Sequence, residues 1–154
     1  IANRGKILAV ESLIDRLVKG GELQDAEPLC PITHSFSPIS KEYGCCTYAR
    51  QIFIPKGTVV VGKIHRHSHH NFLMQGCLSV ATEHGKEYLR APHVFVSEPG
   101  TKKALYAEED IILVTVHMTR FRGEDALEKI EEELISPDYA DLGLIVADKV
   151  EGLK

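Results

Sequence analysis

The chain has 154 residues, is 44% apolar and 26% charged, and carries a net charge of −4. That is long enough for one globular domain with a sizeable core, and the mild acidity excludes a general nucleic-acid or membrane-surface binder. No apolar run approaches the roughly 20 residues of a membrane helix.

Residues 6 to 18 are expected to be helical, since Ile7, Val10, Ile14, Leu17 and Val18 recur at helical spacing and Gly20-Gly21 ends the run. Charges inside this stretch rule it out as a secretory signal. Residues 22 to 46 read as an irregular, turn-rich arm with Pro28, Pro31 and Pro38. Four cysteines, Cys30, Cys45, Cys46 and Cys77, include no CxxC pair, so a zinc ribbon or thioredoxin-type motif is not expected. They read as reduced thiols of a cytoplasmic protein, with a Cys30–Cys45 or Cys30–Cys46 bridge as the alternative.

The middle of the chain is a series of short strands. TYARQIFI meets a turn at Pro55-Lys56-Gly57, and TVVVGKIH follows. FLMQ ends at Gly76, and CLSVATE and KEYLRA flank a hairpin turn at His84-Gly85. HVFVS leads to a turn at Glu98-Pro99-Gly100, and DIILVTVHMT is long and strongly apolar. Strands at a spacing of about ten residues, without helices between them, indicate an antiparallel sandwich or barrel. Residues 124 to 135 are again helical, with Leu127, Ile130 and Leu134 on one face and Glu128, Glu131, Glu132 and Glu133 as a solvated face. The tail from Pro137 is weakly patterned. The expected organisation is an N-terminal helix and irregular arm over 1–46, a barrel over 47–118, and a C-terminal helix and tail over 119–154, all one compact domain.

Four of the eight histidines lie in HRHSHHN, residues 65 to 71. Side chains alternate along a strand, so His65, His67 and His69 are expected on one face and His70 on the other. Three neutral imidazoles suit a transition metal. Three consecutive same-face residues span roughly 13 Å, so all three reach one ion only if the strand bends. Two ligands from this strand plus a distant one is easier. His117, a polar residue closing the apolar strand ILVTVH, is the candidate. A pH-sensitive or structural histidine cluster is the competing reading. His34, His84 and His93 lie beside turn-like sequence and read as surface or structural residues.

The order GKIHRHSHHN, TEHGKEYLRAP, PGTKKALYAEED, TVH and IEEELI, within residues 48 to 139, resembles the cupin superfamily. It is more closely similar to a group of small cupin-like proteins encoded mainly by bacteriophages and prophages. The resemblance implies a mainly β fold, a cupin-type antiparallel jelly-roll barrel with short N- and C-terminal helices. Counting back from Gly76, the place of the general cupin acid falls on His69 rather than Asn71. The phage group's pattern has histidine at the positions of His65, His69 and His117, which makes His67 an extra histidine here. The usual second-motif histidine falls at Lys103. Either His117 replaces that lost ligand, or the barrel is metal-free and uses Lys103 to hold an anion.

The candidate metal set is therefore His65, His67, His69 and His117, for a divalent transition metal such as zinc, iron, nickel or manganese. Arg50, Asn71, Lys103 and Tyr106 are candidate ligand contacts, and Tyr106 and Glu108 are candidate acid–base groups. Fold alone does not choose an activity. Enzyme and small-molecule or nucleotide-binding module stand level, with a structural or assembly protein as the third class. The expected partners are a small molecule and a second copy of the chain, and neither nucleic acid nor membrane.

Overall fold

The computed structural model describes residues 4–144; the remainder of the weakly patterned tail lies outside the described residues. Helix α1 (Arg4–Lys19) covers the expected helical run and extends it by a few residues at its start. The strands are β1 (Ile32–Phe36), β2 (Cys46–Ile54), β3 (Val59–Val61), β4 (Ile64–His65), β5 (His69–Gln75), β6 (Cys77–Thr82), β7 (Gly85–Arg90), β8 (His93–Ser97), β9 (Ala104–Ala107), β10 (Ile111–Thr119) and β11 (Ile135–Ser136), with α2 (Leu127–Leu134) before the last. They form a five-stranded sheet in the order β1-β2-β10-β5-β8 and a four-stranded sheet in the order β3-β9-β6-β7, while β4 pairs with β11. Every pairing is antiparallel.

The two sheets face each other because their strands alternate. In β10, Ile111, Leu113, Thr115, His117 and Thr119 are buried and the residues between them are not, as a half-covered strand requires. One half of the interior is apolar. Ile52, Ile54, Leu73, Leu78, Val80, Leu105, Ala107, Ile111 and Leu113 pack with Cys30 into a single cluster. Gly76 makes the turn from β5 to β6 at φ +87°, and a Cβ there would run into the Asp110 carbonyl oxygen. Only glycine meets both demands at low cost.

The arm and tail enter the sheets more than their sequence indicates. Residues 32 to 36, expected to be irregular, pair along their whole length with β2. The segment PGTKKALYAEED holds an unexpected strand, β9, at the centre of the second sheet. Conversely, TVVVGKIH is not one strand. It breaks at Gly62-Lys63, so β3 and β4 join different sheets. Helix α2 buries Ile130 and Leu134 against Tyr48, with Phe36, Phe121 and Ile135 around them. It therefore covers the barrel within its own chain, next to the polar half of the interior. All four cysteines are free thiols, and no helix among the described residues is long and apolar enough to cross a membrane.

Candidate metal centre

Cross-strand register builds the polar half of the barrel. Tyr48 lies opposite His117. Val116 faces His70 and His69 faces Ser97, so the same layer runs from Tyr48 through His117 and His69 to Ser97. The next layer holds Arg50, Thr115, Asn71 and Phe95. His65, Lys103 and the ends of these strands close the group.

His65 reaches it through a turn, not through strand alternation. Arg66 donates its backbone N–H to the Leu134 carbonyl at 2.8 Å and its Nε to the Ile135 carbonyl at 3.1 Å. Its guanidinium pairs with Asp141 at 2.5 Å. These contacts hold Arg66 against the C-terminal segment, and residues 66–68 are a bend between β4 and β5. The expected shared face of His65, His67 and His69 is therefore replaced: His65 and His69 point inward from two strands, while His67 is exposed in the bend. His70 is also exposed, on the outer face.

The ligand atoms of His65, His69 and His117 all lie within 4.8 Å of one another. The His65 and His117 rings stack with centroids 5.2 Å apart, and His69 lies 4.3 Å from the first and 4.6 Å from the second. His69 Nε2 is 3.3 Å from Lys103 Nζ, while its Nδ1 is buried without a hydrogen-bond partner. His117 Nε2 meets Thr115 Oγ1 at 3.1 Å. Thr115 Oγ1 can accept the His117 Nε2 proton, which is how metal-ligating histidines are oriented, whereas the Lys103 ammonium is a donor and meets the His69 Nε2 lone pair. A buried polar atom without a partner is costly unless something meets it, so the residues present fit a metal ion.

The electrostatics favour the neutral, ligating form. Burial lowers the His65 pKa to about 2, helped by the charges of His69, Lys103 and His117. Burial and Lys103 bring His69 to about 3. Burial, Lys103 and Arg50 bring His117 to about 4. Lys103, itself buried, falls to about 8. Its amine contacts Ser97 Oγ at 2.7 Å and Asn71 Oδ1 at 3.3 Å besides His69. An ammonium has three donors, and all three are engaged by the protein. Asn71 is fully buried and also donates to the Ser97 hydroxyl at 2.9 Å.

Two expected contacts lie elsewhere. Tyr106 is 41% exposed and, opposite Ser79, stands on the outer face of the second sheet. Glu108 accepts a 2.8 Å hydrogen bond from Ser79 Oγ there. The parity of β9 decides this: Leu105 and Ala107 point inward and are buried, so Tyr106 between them points out. Sequence reading passed over Tyr48. Its ring lies 6.0 Å from His117 and its hydroxyl is 2.5 Å from His34 Nδ1. The signal was present in the alternation of Tyr48, Arg50 and Ile52, but only the pairing with β10 gives it meaning.

No protein-family model matches the chain, and no curated protein matches it. Solved structures do. Salicylate 1,2-dioxygenase from Pseudoaminobacter salicylatoxidans superposes with a TM-score of 0.52 at 12% identity, over 80% of this chain and 34% of that one. The fold is a cupin-type jelly roll. A cupin superfamily protein from Desulfitobacterium hafniense gives a TM-score of 0.45 at 10% identity, over 57% of this chain and 77% of that one. The EutQ protein of Clostridium difficile gives 0.47 at 10% identity, over 67% and 80%. The chain spans about a third of the dioxygenase's length, at 34%.

Proposed function

We propose that this protein is a metal-binding cupin whose histidine-lined barrel interior binds or converts a small molecule. His65, His69 and His117 would hold one divalent transition metal: zinc, iron, nickel or manganese. The observation that supports this best is the convergence of three neutral imidazole donors within 4.8 Å of one another. Three protein ligands leave positions open for water or substrate, and a bound ion supplies Lewis acidity there. Around it, Lys103 Nζ meets His69 Nε2, Thr115 Oγ1 meets His117 Nε2, and the Tyr48 ring lies 6.0 Å from His117 with its hydroxyl on His34. Metal analysis of tag-free protein and zinc titration calorimetry test this. One equivalent is expected, and an unchanged metal content in the His65→Ala, His69→Ala and His117→Ala variants overturns it.

A metal-free binding module is the second reading, favoured by a buried cation, Lys103, inside the histidine group. With its three donors engaged by Ser97, Asn71 and His69, Lys103 has none to offer a ligand, so any anion must find another partner. The third class, an assembly protein, draws less support, because α2 covers its own barrel. A homodimer fits the outer face of the five-stranded sheet, where Met74, Val94, Val96 and Met118 are 60%, 55%, 48% and 65% exposed. Contiguous apolar patches of this kind mark interaction sites. Sedimentation at micromolar concentration checks it, and a lone 17.1 kDa species counts against it. Four free thiols fit a reducing cytoplasm. The residue pattern shared with small phage-encoded proteins supports a phage or prophage origin.

A further inference from the structure

Resting on the reading of the barrel interior as a ligand site, we infer that the ligand is an organic carboxylate, seated on the guanidinium of Arg50. The argument is one of charge and of free donors. Arg50 lies on β2 between Tyr48 and Ile52, both buried, and faces the interior opposite Thr115. Its charge is felt at both Tyr48 and His117. Its guanidinium makes no hydrogen bond or salt bridge among the described residues. Arginine stays charged in proteins, and a charge taken from water without a partner is costly.

Among the described residues no carboxylate forms an ion pair with it. The two interior layers on the five-stranded sheet hold no carboxylate. The buried acid nearest in effect is Glu83, whose charge acts on Lys103 and which makes no ion pair with either cation. Glu124, whose charge acts on Tyr48, is exposed. Lys103 has its donors occupied. Of the two cations in this polar interior, Lys103 and Arg50, Arg50 is thus the one with donors to spare. It is half-buried. A single planar fork of donors matches a single carboxylate. A phosphate ester would call for more cationic donors than this site leaves free. The excess of positive charge grows further when the histidines hold a dication, because all three ligands are neutral. A carboxylate therefore suits the site with or without metal.

The test uses small carboxylates and their neutral amides: acetate, pyruvate and benzoate against acetamide, pyruvamide and benzamide, with inorganic phosphate as the competing anion. Binding is measured by calorimetry to the full chain, metal-free and zinc-loaded. At least one carboxylate should bind, its amide about tenfold or more weaker, because a charge-assisted pair is lost. Arg50→Gln should lose the preference and Arg50→Lys should keep part of it. In the wild-type protein, the Arg50 Nε–H resonance should shift on titration, which holds even where a variant fails to fold. No carboxylate binding, equal binding of acid and amide, equal binding to Arg50→Gln, or a preference for phosphate each overturns the inference. Zinc stoichiometry of the same samples separates the two readings. Zinc bound without carboxylate leaves the metal centre standing, and carboxylate bound without zinc removes the metal centre but keeps Arg50's role.

Discussion

Lys103 Nζ lies 3.3 Å from His69 Nε2, inside the histidine group. The cupin resemblance implies a metal ligand at this position, and here a lysine instead contacts the ring of a candidate ligand. Its charge also opposes a cation in the same space, since Coulomb repulsion is strong away from water.

Replacing Lys103 by Met should therefore tighten zinc binding at pH 7. The wild-type amine, with its pKa lowered to about 8 by burial, carries charge at pH 7 and loses it above 8. The gap between variant and wild type should accordingly narrow by pH 9. Zinc calorimetry at the two pH values reads this. Weaker binding by the variant at pH 7 would mean that Lys103 serves the centre chiefly by orienting His69.

Metal-free protein should lose stability as pH falls from 7 to 5. Burial holds His65, His69 and His117 at about 2, 3 and 4, below the unfolded value of about 6.5. Below that value the unfolded chain binds protons that the folded chain refuses. The stability contributed by the neutral rings is thus full above about 6.5 and declines as pH falls towards the folded values. Urea midpoints at pH 7, 6 and 5 measure it, and His117→Gln should flatten the slope. A midpoint independent of pH across this window would contradict the buried-neutral state.

Single alanine substitutions should sort the histidines by position. His65→Ala, His69→Ala and His117→Ala remove candidate ligands and should each weaken zinc by more than the roughly 10–100-fold typical of losing an outer contact. His67→Ala and His70→Ala, both exposed, should leave the affinity near wild type. Loss of binding in His67→Ala with retention in His69→Ala would reverse the assignment.

Tyr48→Phe removes the hydroxyl that meets His34 Nδ1 at 2.5 Å. The expected cost is about 0.5–1.5 kcal/mol of stability, the usual net value of one hydrogen bond. His34→Ala combined with Tyr48→Phe should cost less than the two singles summed, because they share that bond. Strict additivity in chemical denaturation would show that the two side chains are not coupled.

Periodicity in the sequence determined the elements whose pattern is local. The long apolar run in DIILVTVHMT makes β10, the hairpin residues around His84-Gly85 make the β6–β7 turn, and the 3.6-residue recurrence of Leu127, Ile130 and Leu134 makes α2. His117 was legible as a site residue because a polar side chain on the buried face of an apolar strand needs a reason. Tertiary structure alone decided the rest. Strand β1, ITHSF, lacks a pattern of its own and becomes a strand only by pairing with β2. The bend that separates His65 from His69 and turns His67 outward depends on Leu134, Ile135 and Asp141, some seventy positions away in the chain. Tyr48 and Arg50 enter the site because β2 lies in register with β10. Local periodicity shows which face of a strand is buried. Long-range hydrogen-bond pairing sets which buried faces meet, and here that pairing brings three histidines, Lys103 and Arg50 into one polar interior.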